Sequence, residues 1–151
     1  MKAAWLEAPR KMSVVKREDP SLPPGHVLVR VATTAICGTD ISIWQGKMAA
    51  RLPLIPGHEC TGAVEEVGEG VSRLKRGDRV VINPVITCGS CHYCVRGFTN
   101  LCLRGGIRGR EAAGTFAELV AVKEGDAFPF PDKVSFAAAT KVPSAFSRFG
   151  F

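Results

Sequence analysis

Apolar positions along the first two-thirds of the chain recur with a period of two, in short runs cut by Gly, Pro and Asp. Residues 26–33 set Val27, Val29 and Val31 against Leu28, Arg30 and Ala32, the alternation of a strand with two unlike faces. The same reasoning predicts strands over residues 1–6, 12–17, 61–67, 79–83 and 115–122, and a short one over 128–130. Helical spacing is rare. It predicts a helix over 38–45, with Ile41 and Trp44 on one face and Gly46 as its stop. A second helix begins at Phe136, with Asp132 or Ser135 as its cap. Between these runs lie a Pro-rich approach loop at 52–57, a cysteine-rich loop and a Gly-rich stretch at 105–114. Many short strands, few short helices and long irregular loops predict a mainly β fold, a partly open β-barrel.

Composition narrows this picture. With 151 residues, the chain can bury a core of its own without disulfides. The net charge of +6 is scattered. Its densest basic stretches are residues 73–79 and 104–110. In the first, Lys75, Arg76 and Arg79 surround Gly77-Asp78, the pattern of a solvated turn. No reader motif accompanies the charge, so no nucleic-acid partner is expected. No apolar run reaches membrane-spanning length, and Glu7, Pro9 and Arg10 interrupt the only apolar start that a signal segment could use. The expectation is a cytoplasmic protein with no membrane partner, whose thiols stay reduced.

That compartment bears on the six cysteines. Cys88, Cys91 and Cys94 are each separated by two residues, and Cys102 follows after seven more. Two-residue gaps let successive sulfurs converge on one ion, and four thiolates complete the tetrahedral shell that zinc prefers. A complete shell has no room for substrate, so such an ion is structural. An iron–sulfur cluster, free thiols and two bridges are the other readings of this loop, and His92 lies between two of its sulfurs.

Cys37 and His58-Glu59 form a second candidate set. Cys37 opens the expected helix, where backbone amides and the helix dipole favour thiolate. His58 and Glu59 follow a Pro-Gly turn. Cys, His and Glu supply three ligands and leave one position open, as a catalytic zinc requires. An open zinc polarises a bound oxygen and lowers the pKa of a bound hydroxyl. Thr39 offers a hydroxyl for relaying the proton of an alcohol, and Asp40 a carboxylate to hold the far ring nitrogen of His58. Each piece alone reads equally as core or surface. Cys60 reads as a small buried strand residue and His26 as a strand-edge residue.

Taken together, the motifs resemble the N-terminal catalytic domain of medium-chain zinc-dependent alcohol dehydrogenases, in the branch that includes sorbitol, threonine and secondary-alcohol dehydrogenases. Gly57-His58-Glu59, Gly62, Gly68 and Val71 match the family pattern. C-G-T-D from Cys37 to Asp40, Gly77-Asp78-Arg79-Val80, the cysteine loop, and G-T-F-A-E-L-V from Gly114 to Val120 fit its other segments. The resemblance implies a GroES-like barrel over residues 1–138, with 139–151 a truncated or divergent tail. It implies Cys37, His58 and Glu59 on a catalytic zinc, with Glu59 direct or exchangeable, and Cys88, Cys91, Cys94 and Cys102 on a structural zinc. Thr39 would be the proton relay and Asp40 the partner of His58. The substrate would be a small alcohol or polyol. NAD or NADP would bind only with a Rossmann domain, which is absent from this sequence, and oligomers would form through that domain. After Asp132 no Asp, Glu, Cys or His follows, so a further acid or Cys ligand has no counterpart here. The expectation is a fragment, a truncation or a frameshifted remnant. It is inactive alone, or has become a zinc-binding structural or interaction module.

Overall fold

Alternation in the sequence becomes antiparallel pairing. In chain order the elements are β1 (Lys2–Ala8), β2 (Lys11–Lys16), β3 (His26–Ala35), α1 (Gly38–Trp44), β4 (Glu59–Val67), β5 (Arg79–Ile82), β6 (Val85–Ile86), β7 (Gly106–Ile107), β8 (Leu119–Lys123), β9 (Ala127–Pro129) and α2 (Phe136–Ala139). They come from a computed structural model that describes residues 1–141. The expected tail lies outside the described residues from 142 onward, and so does the helix stop expected at Pro143.

A five-stranded sheet in the order β8-β3-β4-β5-β9 curves around the core, while β1-β2 and β6-β7 form separate pairs. This is the mainly β, partly open barrel expected. Single bridges from Ala3 to Ala117 and from Leu6 to Leu54 tie the first hairpin to the remainder. The core joins Val27 and Val29 of β3, Cys60 and Val64 of β4, Val80 and Ile82 of β5, and Val120 and Val122 of β8. The alternation in β3 is incomplete. Leu28 is buried along with its neighbours, while Arg30 is exposed.

The register of β3 against β4 matters most for the site. Val27 lies opposite Val67 and Ala35 opposite Glu59, with irregularities between Leu28 and Val29 and between Val31 and Thr33. Antiparallel pairing therefore brings the C-terminal end of β3 beside the N-terminal start of β4. Cys37, just past one, and His58, just before the other, meet although twenty-one positions separate them in the sequence.

Three expectations need correction. The strand expected from 61 begins at Glu59, because Glu59 pairs with Ala35. Residues 115–118 lie outside β8. Their backbone turns toward other partners: Thr115 N donates to Gly57 O (3.0 Å), Phe116 N to Pro56 O (3.0 Å), and Ala4 N donates to Phe116 O (2.8 Å). The helix α1 buries Asp40 and Ile43, whereas Ile41 and Trp44 are exposed. Packing of Trp44 against the barrel is thus not what anchors this helix. The buried side chains of Ile43 and of Asp40 at its first turn take that place. For α2, Ser135 is the cap, its Oγ accepting from Ala138 N at 3.2 Å.

Candidate metal centres

At the end of the β3–β4 ladder, one donor atom from each of Cys37, His58 and Glu59 lies within 4.8 Å of the others. Each arrives by a different local device. Cys37 is the N-cap of α1, in extended backbone geometry (φ −95°, ψ 161°). The backbone N–H of Thr39, turned toward its sulfur, lowers the thiol pKa, and His58 adds to that lowering. Glu59 is carried by the first residue of β4.

His58 is buried, and its loop is held from behind by glycine. Gly57 has φ +91°, and a Cβ there would lie 2.2 Å from the ring of Phe116. A Cβ on Gly114 would come within 2.2 Å of Gly57 O, and one on Gly109 within 2.5 Å. Backbone thus packs on backbone directly behind His58. The Gly-rich stretch, which reads as turns in the sequence, supplies this contact, and G-T-F beside a Pro-Gly turn is the only signal that hints at it.

Asp40 links the two ligand-bearing segments. Its Oδ2 accepts from Cys37 N at 2.8 Å, and its Oδ1 stands 3.3 Å from His58 Nδ1. The second contact is a close approach and not a completed hydrogen bond, so the buried Oδ1 has no hydrogen-bond partner. The carboxylate raises the pKa of His58 to about 9, with burial opposing it. A cation on the other ring nitrogen fits this arrangement. It would fix the proton on Nδ1, facing the one acceptor that lacks a donor. Thr39 is half-buried, with Oγ1 3.9 Å from Cys37 Sγ.

The second cluster unites Cys88, Cys91, Cys94 and Cys102, all four sulfurs lying within 4.8 Å of one another. Cys88 and Cys94 sulfurs are 3.9 Å apart, and those of Cys91 and Cys102 4.0 Å. A disulfide needs about 2.05 Å. A tetrahedron of sulfurs at ~2.3 Å from zinc has edges of about 3.8 Å. The spacing therefore fits a shared ion and excludes bridges, and all six cysteines are free. Backbone amides prepare the charge. Cys91 N donates to Cys88 Sγ and Cys88 N to Cys102 Sγ, both at 3.3 Å. Amides at Ser90 and Cys91 pull the Cys88 thiol down to about 5, while burial pushes Cys94 up to about 12. His92 stands apart from the sulfurs. It is exposed, paired with the Arg96 guanidinium and edge-on to Tyr93. Cys60 sits in the core with its thiol pushed up to about 12 by burial.

A mainly β antiparallel architecture with two clusters of candidate metal donors is that of a GroES-like domain. Residues 23–132 match the family described as the alcohol dehydrogenase GroES-like domain. This chain belongs to that family, within the medium-chain alcohol dehydrogenases. It is 40% identical over 146 residues to an alcohol dehydrogenase of Geobacillus stearothermophilus, covering 94% of this chain and 43% of that protein. Among solved structures, an RspB dehydrogenase of Escherichia coli CFT073 complexed with NADH superposes with a TM-score of 0.88 at 35% identity, covering 94% of this chain and 42% of that one. A zinc-binding dehydrogenase of Sinorhizobium meliloti bound to NADP gives 0.86 at 34% identity, covering 92% and 41%. This chain thus spans about two-fifths of the length of these relatives. Among the described residues no helix is long and apolar enough to cross a membrane.

Proposed function

We propose that this chain is the zinc- and substrate-binding part of a cytoplasmic dehydrogenase acting on a small alcohol or polyol. Cys37, His58 and Glu59 hold a catalytic zinc, and Cys88, Cys91, Cys94 and Cys102 a structural one. The observation that carries this is the meeting of Cys37, His58 and Glu59 at the β3–β4 end, with a buried carboxylate aimed at the far nitrogen of His58. Zinc bound there supplies Lewis acidity that lowers the pKa of an alcohol hydroxyl.

The chain's own residues do the remainder. Asp40 keeps a proton on His58 Nδ1, leaving Nε2 as the donor. The amide of Thr39 favours the thiolate form of Cys37, and the Thr39 hydroxyl takes up the alcohol proton and passes it toward solvent. An apolar hollow of about 150 Å³, bounded by Ile36, Ile41, Trp44 and Phe116, reaches Asp40 and receives the carbon chain. The hydride acceptor is NAD or NADP, as bound in the two structural relatives. It is held by a nucleotide-binding domain, which also carries any oligomer contacts.

Metal analysis tests the reading. The purified chain is expected to hold two zinc ions, with His58→Ala retaining one and Cys91→Ser losing the structural one along with the order of its loop. A stoichiometry unchanged by His58→Ala would falsify the catalytic-site assignment.

A further inference from the structure

Away from both metal clusters, a cavity of about 410 Å³ opens between β8, the loop before β3 and the residues joining β5 to β8. Its floor is apolar, with Ile55 and Val120 among the lining side chains, and its polar groups include Arg108, Lys123, His26 and Asp126, with Met1 at the rim, whose ammonium is paired with Asp19. Arg108 is the anomaly. Its Nε is buried without a partner, and among the described residues its guanidinium makes no hydrogen bond or ion pair.

Its charge is only partly compensated, by Asp126 in the same cavity. The Cys60 thiol beside it is kept protonated by burial. The carboxyl of Asp126 interacts with Arg108 only at a distance and is itself raised by burial. Lys123 adds a second positive charge, its Nζ already tethered to Thr87 O at 3.3 Å. A half-buried guanidinium whose Nε lacks a partner favours a ligand of opposite charge that supplies the missing acceptor.

We propose that this cavity binds a small organic carboxylate through Arg108. A planar fork of N–H donors matches a carboxylate bidentately. With the Met1 ammonium already paired with Asp19, Arg108 and Lys123 against the Asp126 carboxyl leave room for a single negative charge, and a dianion would face Asp126. The aliphatic floor accommodates a short carbon body, and the volume lies in the range of small-ligand pockets.

The test is thermal unfolding of the full zinc-loaded chain titrated with butyrate, with phosphate and chloride as separate arms at constant ionic strength. The expected result is a saturable rise in Tm with butyrate, roughly 5–10 °C at a hundredfold excess over Kd. Arg108→Met should abolish it while leaving the unliganded chain no less stable. Arg108→Lys keeps the charge without the fork and should weaken binding by at least about tenfold. No saturable rise overturns the proposal. So does a rise that persists in Arg108→Met, since butyrate on a metal ion at Cys37 and His58 would not depend on Arg108. A phosphate shift equal to that of butyrate overturns the carboxylate assignment, and an unchanged affinity in Arg108→Lys overturns the role of the fork. Should Arg108→Met not fold, the Lys variant alone decides.

Discussion

Asp40 Oδ1 stands 3.3 Å from His58 Nδ1 while Oδ2 of the same carboxylate accepts from the Cys37 amide at 2.8 Å. One buried side chain therefore fixes the orientation of two metal-binding residues from different segments. Asp40→Ala removes the acceptor from both. The expected loss of metal affinity at Cys37, His58 and Glu59 is about 10- to 100-fold, with the four-cysteine ion retained. Competition with a chromogenic chelator, monitoring Co²⁺ in place of zinc, would show it. An affinity unchanged in Asp40→Ala would mean that the carboxylate caps the helix and does nothing for the metal.

The raised pKa of His58 carries a pH dependence with a definite sign. Without metal, the Asp40 carboxylate favours the imidazolium up to about pH 9. A metal needs the neutral ring, so binding expels that proton. The His58 proton alone should therefore make affinity at this site rise about tenfold per pH unit up to pH 9, that contribution levelling off above it. The metal-free chain behaves oppositely. Its folded-state pKa lies above the unfolded value, so this contribution to stability is complete below about pH 6.5 and disappears as pH rises through about 9. Calorimetry of metal binding at pH 7 in buffers of different ionisation enthalpy counts the released protons, and a count of zero would contradict both statements.

The glycine contact behind His58 makes a separate claim about stability. A Cβ on Gly114 meets Gly57 O at 2.2 Å and Pro56 O at 2.4 Å, both rigid backbone atoms. Gly114→Ala should cost roughly 1–3 kcal/mol or more, read as a lower Tm. Gly125→Ala is the control, because nothing lies within 4 Å of the added carbon and the backbone there is not left-handed. Equal effects of the two substitutions would show that the Gly57–Gly114 approach is not tight.

How much of this was legible in sequence follows from the range of each interaction. Strand β3 shows itself because burial of Val27 and Val29 imposes a local rule on neighbouring positions. The cysteine loop shows itself for the same reason, its four ligands lying within one short segment. The catalytic set is different. Cys37, His58 and Glu59 carry suggestive chemistry, but their meeting depends on the Ala35–Glu59 register, which no local pattern encodes. The detour of residues 115–118 depends on contacts with Pro56 and Gly57, some sixty positions away. Ile41 and Trp44 mislead because the face that turns inward is the one carrying Ile43 and the polar Asp40, and the spacing of Ile41 and Trp44 does not distinguish it. Arg108 is hidden in a basic stretch that resembles ordinary solvated surface.

Arg79 supplies the last test, since it joins the barrel to the segment leading into α2. Its guanidinium lies 4.8 Å from the Phe130 ring centroid and 4.3 Å from that of Phe136. Its two terminal nitrogens donate to Asp132 O at 2.6 Å and Val134 O at 2.7 Å. Lysine retains the charge but has neither the broad flat cation that contacts both rings nor the paired donors to reach two carbonyls. Each lost stacking or hydrogen-bond contact is worth about 0.5–1.5 kcal/mol, so Arg79→Lys should destabilise the chain by roughly 1–3 kcal/mol. The loss should be concentrated in residues 130–140. Hydrogen exchange would report faster exchange at Val134, Ala139 and Thr140, whose amides donate to Pro131, Ser135 and Phe136 carbonyls, with β3 and β4 unaffected. Equal acceleration throughout the sheet would show that Arg79 acts through the core of the barrel and not through this junction.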